Sequence, residues 1–150
     1  MAQALEQAWL AFCADEVPIG AVVVAEGRLL AAAHNLVETF SDPTAHAERL
    51  AISQAAAIAP SWRLLGATLY VTIEPCFMCA GAAILARIER IVWAAPDLRH
   101  GAHTGPCDLF SYHHPIHNVA IEQGSYGEEA AWLMRQFFRE RRAAKPKSAM

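Results

Sequence analysis

The chain has 150 residues, 55% of them apolar, which is enough for one hydrophobic core and short for two. Twelve Lys and Arg against fifteen Asp and Glu give a formal net charge of −3, which excludes coating nucleic acid with the whole surface, since such binding is driven by phosphate neutralisation. No apolar run is long enough to span a membrane, no basic-then-apolar leader opens the chain, and four scattered cysteines make no secreted disulfide framework, so one domain over 1–150 in a reducing cytoplasm is expected.

Residues 2–14 read as an opening helix. In VPIGAVVVAEGRLLAAAHN, two apolar runs joined at Glu26-Gly27 predict a β-hairpin. Asp42 or Thr44 is the expected cap of the next helix, Pro43 fits its first turn, and the alanine-rich run to Ala57 sustains it until Pro60. ATLYVTI predicts a buried strand. Pro75 is expected to open a second helix, CFMCAGAAILAR, with RIVWAA as the strand after it. The segment 96–118, rich in Gly, Pro and His, predicts a long loop with room for one short helix. A strand in NVAIEQG and an amphipathic helix from about residue 128 to 142 follow. From Trp132 onward six cations face one acid, and residues 143–150 form a basic tail expected to fray. This order implies an α/β fold, a three-layer α/β/α sandwich around a mixed five-stranded sheet.

Cys76 and Cys79, three apart at the start of a predicted helix, offer two thiolates to one ion, and His46, at the start of another, adds an imidazole. Structural zinc takes four protein ligands and catalytic zinc three plus water, and no second Cys-x-x-Cys is present to close a structural site. On a regular helix His46 and Glu48 point about 200° apart, so they share no target beside the helix. They share one lying off its N-terminal end. There His46 would ligate zinc while Glu48 reaches a water in the open position and moves its proton. Taken singly, the cysteine pair reads equally as a redox pair or core packing, and the histidine as a helix cap. Together, His-x-Glu and Pro-Cys-x-x-Cys make the signature of the zinc deaminases.

Across EVPIGAVVV, DPTAHAE, TLYVTIEPCFMCAGA, HHP and FFRERR the chain resembles the bacterial tRNA adenosine deaminases, which convert the wobble adenosine of an anticodon to inosine. The resemblance implies a cytidine-deaminase-like fold, a homodimer, one zinc per subunit and a tRNA anticodon stem-loop as partner. It makes His46, Cys76 and Cys79 the zinc ligands and Glu48 the proton shuttle. It also implies a base contact from Asn35, a sugar contact from Asp97, and further substrate contacts from Ala47, Pro75, Phe138 and Arg141. Asn35 reads alternatively as a turn residue and Asp97 as a loop cap. Arg99-His100-Gly101-Ala102 replaces the usual Lys-Thr-Gly-Ala, keeping a charge and losing a hydroxyl. His100, His103, His113, His114 and His117 leave two readings open, a second metal site or ordinary polar loop residues. Two rival functions stand beside this one. A deaminase of free guanine, cytosine or a nucleoside needs no basic tail, and a zinc-stabilised binding module needs a fourth protein ligand and no Glu48.

Overall fold

The computed structural model describes residues 1–144. Strands β1 (Gly20–Ala25) and β2 (Arg28–His34) pair antiparallel across Glu26 and Gly27, whose φ angles of 50° and 72° give the twisted two-residue turn that hairpins favour. Val24 faces Leu29 while Val23 faces Ala31, so Leu30 is the extra residue of a bulge. Strands β3 (Thr68–Ile73), β4 (Arg90–Ala95) and β5 (Ala120–Gln123) complete the sheet in the order β2-β1-β3-β4-β5. β1 runs antiparallel to β3, and β3, β4 and β5 run parallel, so the sheet is mixed as expected. β4 is buried from Ile91 to Ala95 because both its faces are covered, which is why RIVWAA shows no alternation.

Helices α1 (Ala2–Cys13) and α5 (Gly127–Ala144) pack on each other and on the sheet, and α3 (Ala47–Ile58) and α4 (Phe77–Leu85) form the second helical layer. Alternation along β1 divides the two: Ala21 and Val23 join the core with Ala47, Ala51 and Ala55 of α3, whereas Gly20 lies under α1. A Cβ at Gly20 would stand 2.1 Å from the Ala4 carbonyl oxygen and 2.4 Å from the Ala8 nitrogen. Glycine there, below buried Ala4, Ala8 and Ala11, lets α1 approach the strand closely. A short helix α2 (Val37–Phe40) follows β2, and a 3₁₀ turn (Leu109–Ser111) occupies the long loop.

Three expectations change. Asp42 accepts from the Thr44 N–H at 2.8 Å and the Thr44 hydroxyl at 2.7 Å, closing a turn around Pro43 instead of capping α3. The N-cap position falls to His46, whose backbone is extended (φ −77°, ψ 147°) and whose side chain makes no cap bond. Likewise Pro75 precedes the helix, Cys76 is the N-cap (φ −73°, ψ 171°), and α4 begins at Phe77. α5 runs to Ala144, two residues past its expected end, and the rest of the expected tail, 145–150, lies outside the described residues.

Register brings the functional segments to one end of the sheet. Gly20 pairs with His34, Ala21 with Val71, and Val71 with Trp93, so the start of β1 and the ends of β2, β3 and β4 lie together. Asn35, Glu74 to Cys76, and Asp97 all leave from that end, where open α/β sheets place their ligands.

Candidate active site

His46 and Cys76 are N-caps of α3 and α4, and Cys79 is the third residue of α4. The donor atoms of these three residues lie within 4.8 Å of one another, and among the described residues no other such group occurs. His46 Nδ1 is 3.7 Å from Cys76 Sγ and 3.6 Å from Cys79 Sγ. A tetrahedral zinc, with bonds of about 2.3 Å to sulfur and about 2.05 Å to nitrogen, needs about 3.6 Å between those atoms. The donor set therefore fits in both spacing and chemistry, and a zinc held by its three members would have one coordination position left for water or substrate.

Glu48, in the first turn of α3, is 3% exposed, and its Oε2 is buried without a hydrogen-bond partner. Burial is the main reason its carboxyl is pushed up to about 7, with the nearby Cys76 acting in the same direction. The sulfurs share a proton unequally. Cys76 is pushed down to about 4, chiefly by its hydrogen bond with Cys79 and further by that with His46. Cys79 is pushed up, first by that hydrogen bond with Cys76, then by burial and by Glu48. His46 is raised because the Cys76 sulfur favours its protonated form. A zinc ion would take both sulfurs as thiolates and the imidazole neutral, so binding it would release the protons these groups share. An orphaned carboxylate oxygen beside such a set is costly to fold.

The other expected contacts fall into two groups. Ala47 and Pro75 are buried at the joints that carry His46 and Cys76. Asn35 directly follows β2, is buried, and its side-chain amide has no protein hydrogen bond among the described residues. Asp97 follows β4, and its Oδ1 accepts from the N–H groups of Arg99 (3.0 Å) and His100 (3.1 Å), so it caps its own loop whatever else it does. Phe138 and Arg141 lie apart from the cluster, lining a cavity of about 320 Å³ with Asp15, Val17 and Glu38. Phe137 is 5% exposed and belongs to the core, while Phe138 is 42% exposed. Arg141 stacks over Phe137 and pairs with Asp15 at 3.2 Å. A larger groove of about 1000 Å³ runs between α1 and α5, lined by Trp9, Leu10 and Trp132, away from all of these residues.

Three of the loop histidines have ring partners within the fold. His117 Nε2 bonds the Ile88 carbonyl at 2.6 Å, His114 Nδ1 accepts from the N–H of Ile116 at 3.2 Å, and His103 pairs with Asp108 at 3.2 Å. Two buried acids escaped the sequence reading. Glu16 accepts from the Thr39 N–H (2.6 Å), the Thr39 hydroxyl (2.8 Å) and the Glu38 N–H (3.2 Å), capping α2 from 22 residues away. Glu74 binds the 97–104 loop in the same manner. Their one signal was an acid set against an apolar run, in DEVPIG and TIEPC.

Residues 1–142 match the MafB19-like deaminase family. The chain is 43% identical over 145 residues to the tRNA-specific adenosine deaminase of Bacillus subtilis (strain 168), covering 97% of this chain and 90% of that one. A solved structure from work on A-to-I editing by tRNA:A34 deaminases at the wobble position superposes with a TM-score of 0.84 at 41% identity, over 89% of this chain and 96% of the other. The guanine deaminase from Nitrosomonas europaea superposes with a TM-score of 0.77 at 26% identity, over 91% and 81%.

Proposed function

We infer, for a chain that belongs to the MafB19-like deaminase family and is related over most of its length to the tRNA-specific adenosine deaminases, hydrolytic conversion of adenosine to inosine at the wobble position of a tRNA anticodon. The observation that carries this reading is the buried, unpartnered Glu48 oxygen beside the converging donors of His46, Cys76 and Cys79. Those three residues would hold one zinc per subunit. When bound, zinc supplies Lewis acidity that lowers the pKa of water to about 7. Glu48 takes a proton from the attacking water and returns it to the departing amino group, so that a C–O bond forms at C6 of adenine, the C–N bond breaks, and ammonia leaves. The raised value of Glu48 suits that exchange, because a group that both accepts and donates works best near the operating pH.

Asn35 offers the base edge a side-chain amide with no protein hydrogen bond among the described residues, and Asp97 serves the sugar hydroxyl through Oδ2, which lies 3.6 Å from the exposed His100 Nδ1. Phe138 and Arg141 extend the contact to the stem-loop, an exposed ring for stacking and a cation for phosphate. The chain acts as a single domain over 1–150 and pairs as a homodimer. Exposed Ile58, Trp62, Leu65, Phe77 and Leu85, on and beside α3 and α4, support an apolar interface there. Among the described residues no helix is long and apolar enough to cross a membrane, which agrees with a cytoplasmic enzyme.

A free-guanine deaminase is the second reading, favoured by the likeness to the Nitrosomonas europaea protein. One assay separates them. The purified protein is incubated with an anticodon stem-loop carrying adenosine at the wobble position, and in parallel with guanine, and the products are read by mass spectrometry. Inosine in the RNA supports the first reading, and xanthine without inosine replaces it with the second. In the first case Phe138→Ala and Arg141→Ala raise KM for RNA and leave zinc content unchanged.

A further inference from the structure

Position 74 carries an acid between the apolar strand β3 and the Pro75-Cys76 joint, where burial leaves it 3% exposed. A buried carboxylate needs hydrogen-bond donors, and every side-chain bond made by this one goes to a single loop. Oε1 accepts from the N–H groups of His103 (2.8 Å) and Thr104 (2.7 Å). Oε2 accepts from the Asp97 N–H (3.1 Å) and from the Thr104 hydroxyl. The residues after Glu74 hold the same loop: the Pro75 carbonyl accepts from the Ala102 N–H at 2.9 Å, and Cys76 forms a β-bridge with Gly101. Gly101 itself is required by this packing, since a Cβ there would stand 2.3 Å from Glu74 Oε1. Three consecutive residues, the last a proposed metal ligand, thus carry the loop that begins with Asp97, while the tip between, at Leu98, Arg99 and His100, is exposed.

We propose that Glu74 is a positioning residue: its buried carboxylate locks the 97–104 loop in register with the Cys76 segment and so sets where the substrate sits relative to the metal ligands. This rests on RNA deamination as the activity. The loop lies beside Cys76 through the bridge at Gly101, and no side-chain bond of Glu74 goes to His46, Cys76 or Cys79, so its loss displaces the loop's Asp97 end while that bridge and the metal side stay.

Glu74→Gln tests it. The amide oxygen still accepts from His103 and Thr104, but the NH2 faces the Asp97 N–H, and two donors repel at that end alone. Hydrogen exchange at the Asp97 amide is expected to accelerate about tenfold relative to those of His103 and Thr104. With wild-type zinc content, KM for the stem-loop rises about tenfold while kcat stays within about threefold. Asp97→Asn keeps the Oδ1 that caps the loop, and in that background Glu74→Gln adds less than about twofold to KM, because both act through one loop end. Thr104→Val, which removes one donor, shifts KM in the same direction by a smaller factor, and Thr104→Ser restores the wild-type value. An unchanged KM in folded, zinc-loaded Glu74→Gln overturns the proposal, as does a change in kcat alone or additivity with Asp97→Asn. Should Glu74→Gln fail to fold, equal KM values for Thr104→Val and Thr104→Ser overturn it. Failure of the wild-type protein to form inosine refutes the activity instead, and the exchange pattern still reports the anchor.

Discussion

Replacing Glu48 by glutamine keeps the shape of the side chain and removes its ability to carry a proton. In the fold the residue is buried and its Oε2 meets no donor, so the substitution breaks no hydrogen bond at that atom. An unsatisfied buried polar atom costs about 1–3 kcal/mol, and exchanging a carboxylate for an amide leaves that cost the same or lowers it. Stability is therefore expected to hold or rise. Activity moves the other way: general acid–base catalysis is worth about 10²- to 10⁴-fold, or about 3–5 kcal/mol of barrier at about 1.4 kcal/mol per factor of ten. The assay is single-turnover inosine formation on the stem-loop, with zinc by elemental analysis and unfolding by calorimetry on the same preparation. Activity within tenfold of wild type refutes the shuttle. So does a parallel loss of zinc and fold, which would make Glu48 a structural group.

Cys76→Ser is expected to lose zinc and melt lower, whereas Cys107→Ser, at an exposed position, keeps zinc stoichiometry; elemental analysis separates the two. Gly20→Ala drives a methyl group into the backbone of α1, an overpacking that costs about 1–3 kcal/mol or more, and the thermal midpoint falls by roughly 2–4 °C for each kcal/mol. For Glu16 burial pushes the carboxyl up, but the bonds from Thr39 and Glu38 more than offset it and hold it below the ordinary 4.5. A folded value below the unfolded one contributes stability above about pH 4.5 that is lost as pH falls through the folded value. The melting temperatures of wild type and Glu16→Gln therefore converge in acid, and curves that stay parallel would refute this.

The elements were legible because local rules suffice for them. Glu26-Gly27 demands a hairpin turn, RIVWAA is a strand buried on both faces, and the helix after Ala47 follows from alanine content and ends before Pro60. The sequence argument for His46 and Glu48 set both on a regular helix, whereas His46 stands at the N-cap with extended backbone and only Glu48 lies within α3. The caps themselves were not legible. Asp42 was spent on its own turn, and the N-cap positions of α3 and α4 went to His46 and Cys76, whose side chains turn toward each other.

Chain order and residue chemistry thus pointed to the layers, the sheet and the three residues whose donor atoms converge. Tertiary structure decided what long-range burial controls: that register stacks the ends of β2, β3 and β4, that Glu16 caps a helix 22 residues away, and that Glu74 gathers a loop 23 to 30 residues downstream. The physical reason is that a periodic apolar pattern reports which face is buried, whereas a lone buried acid is satisfied by donors that only the folded chain brings within reach.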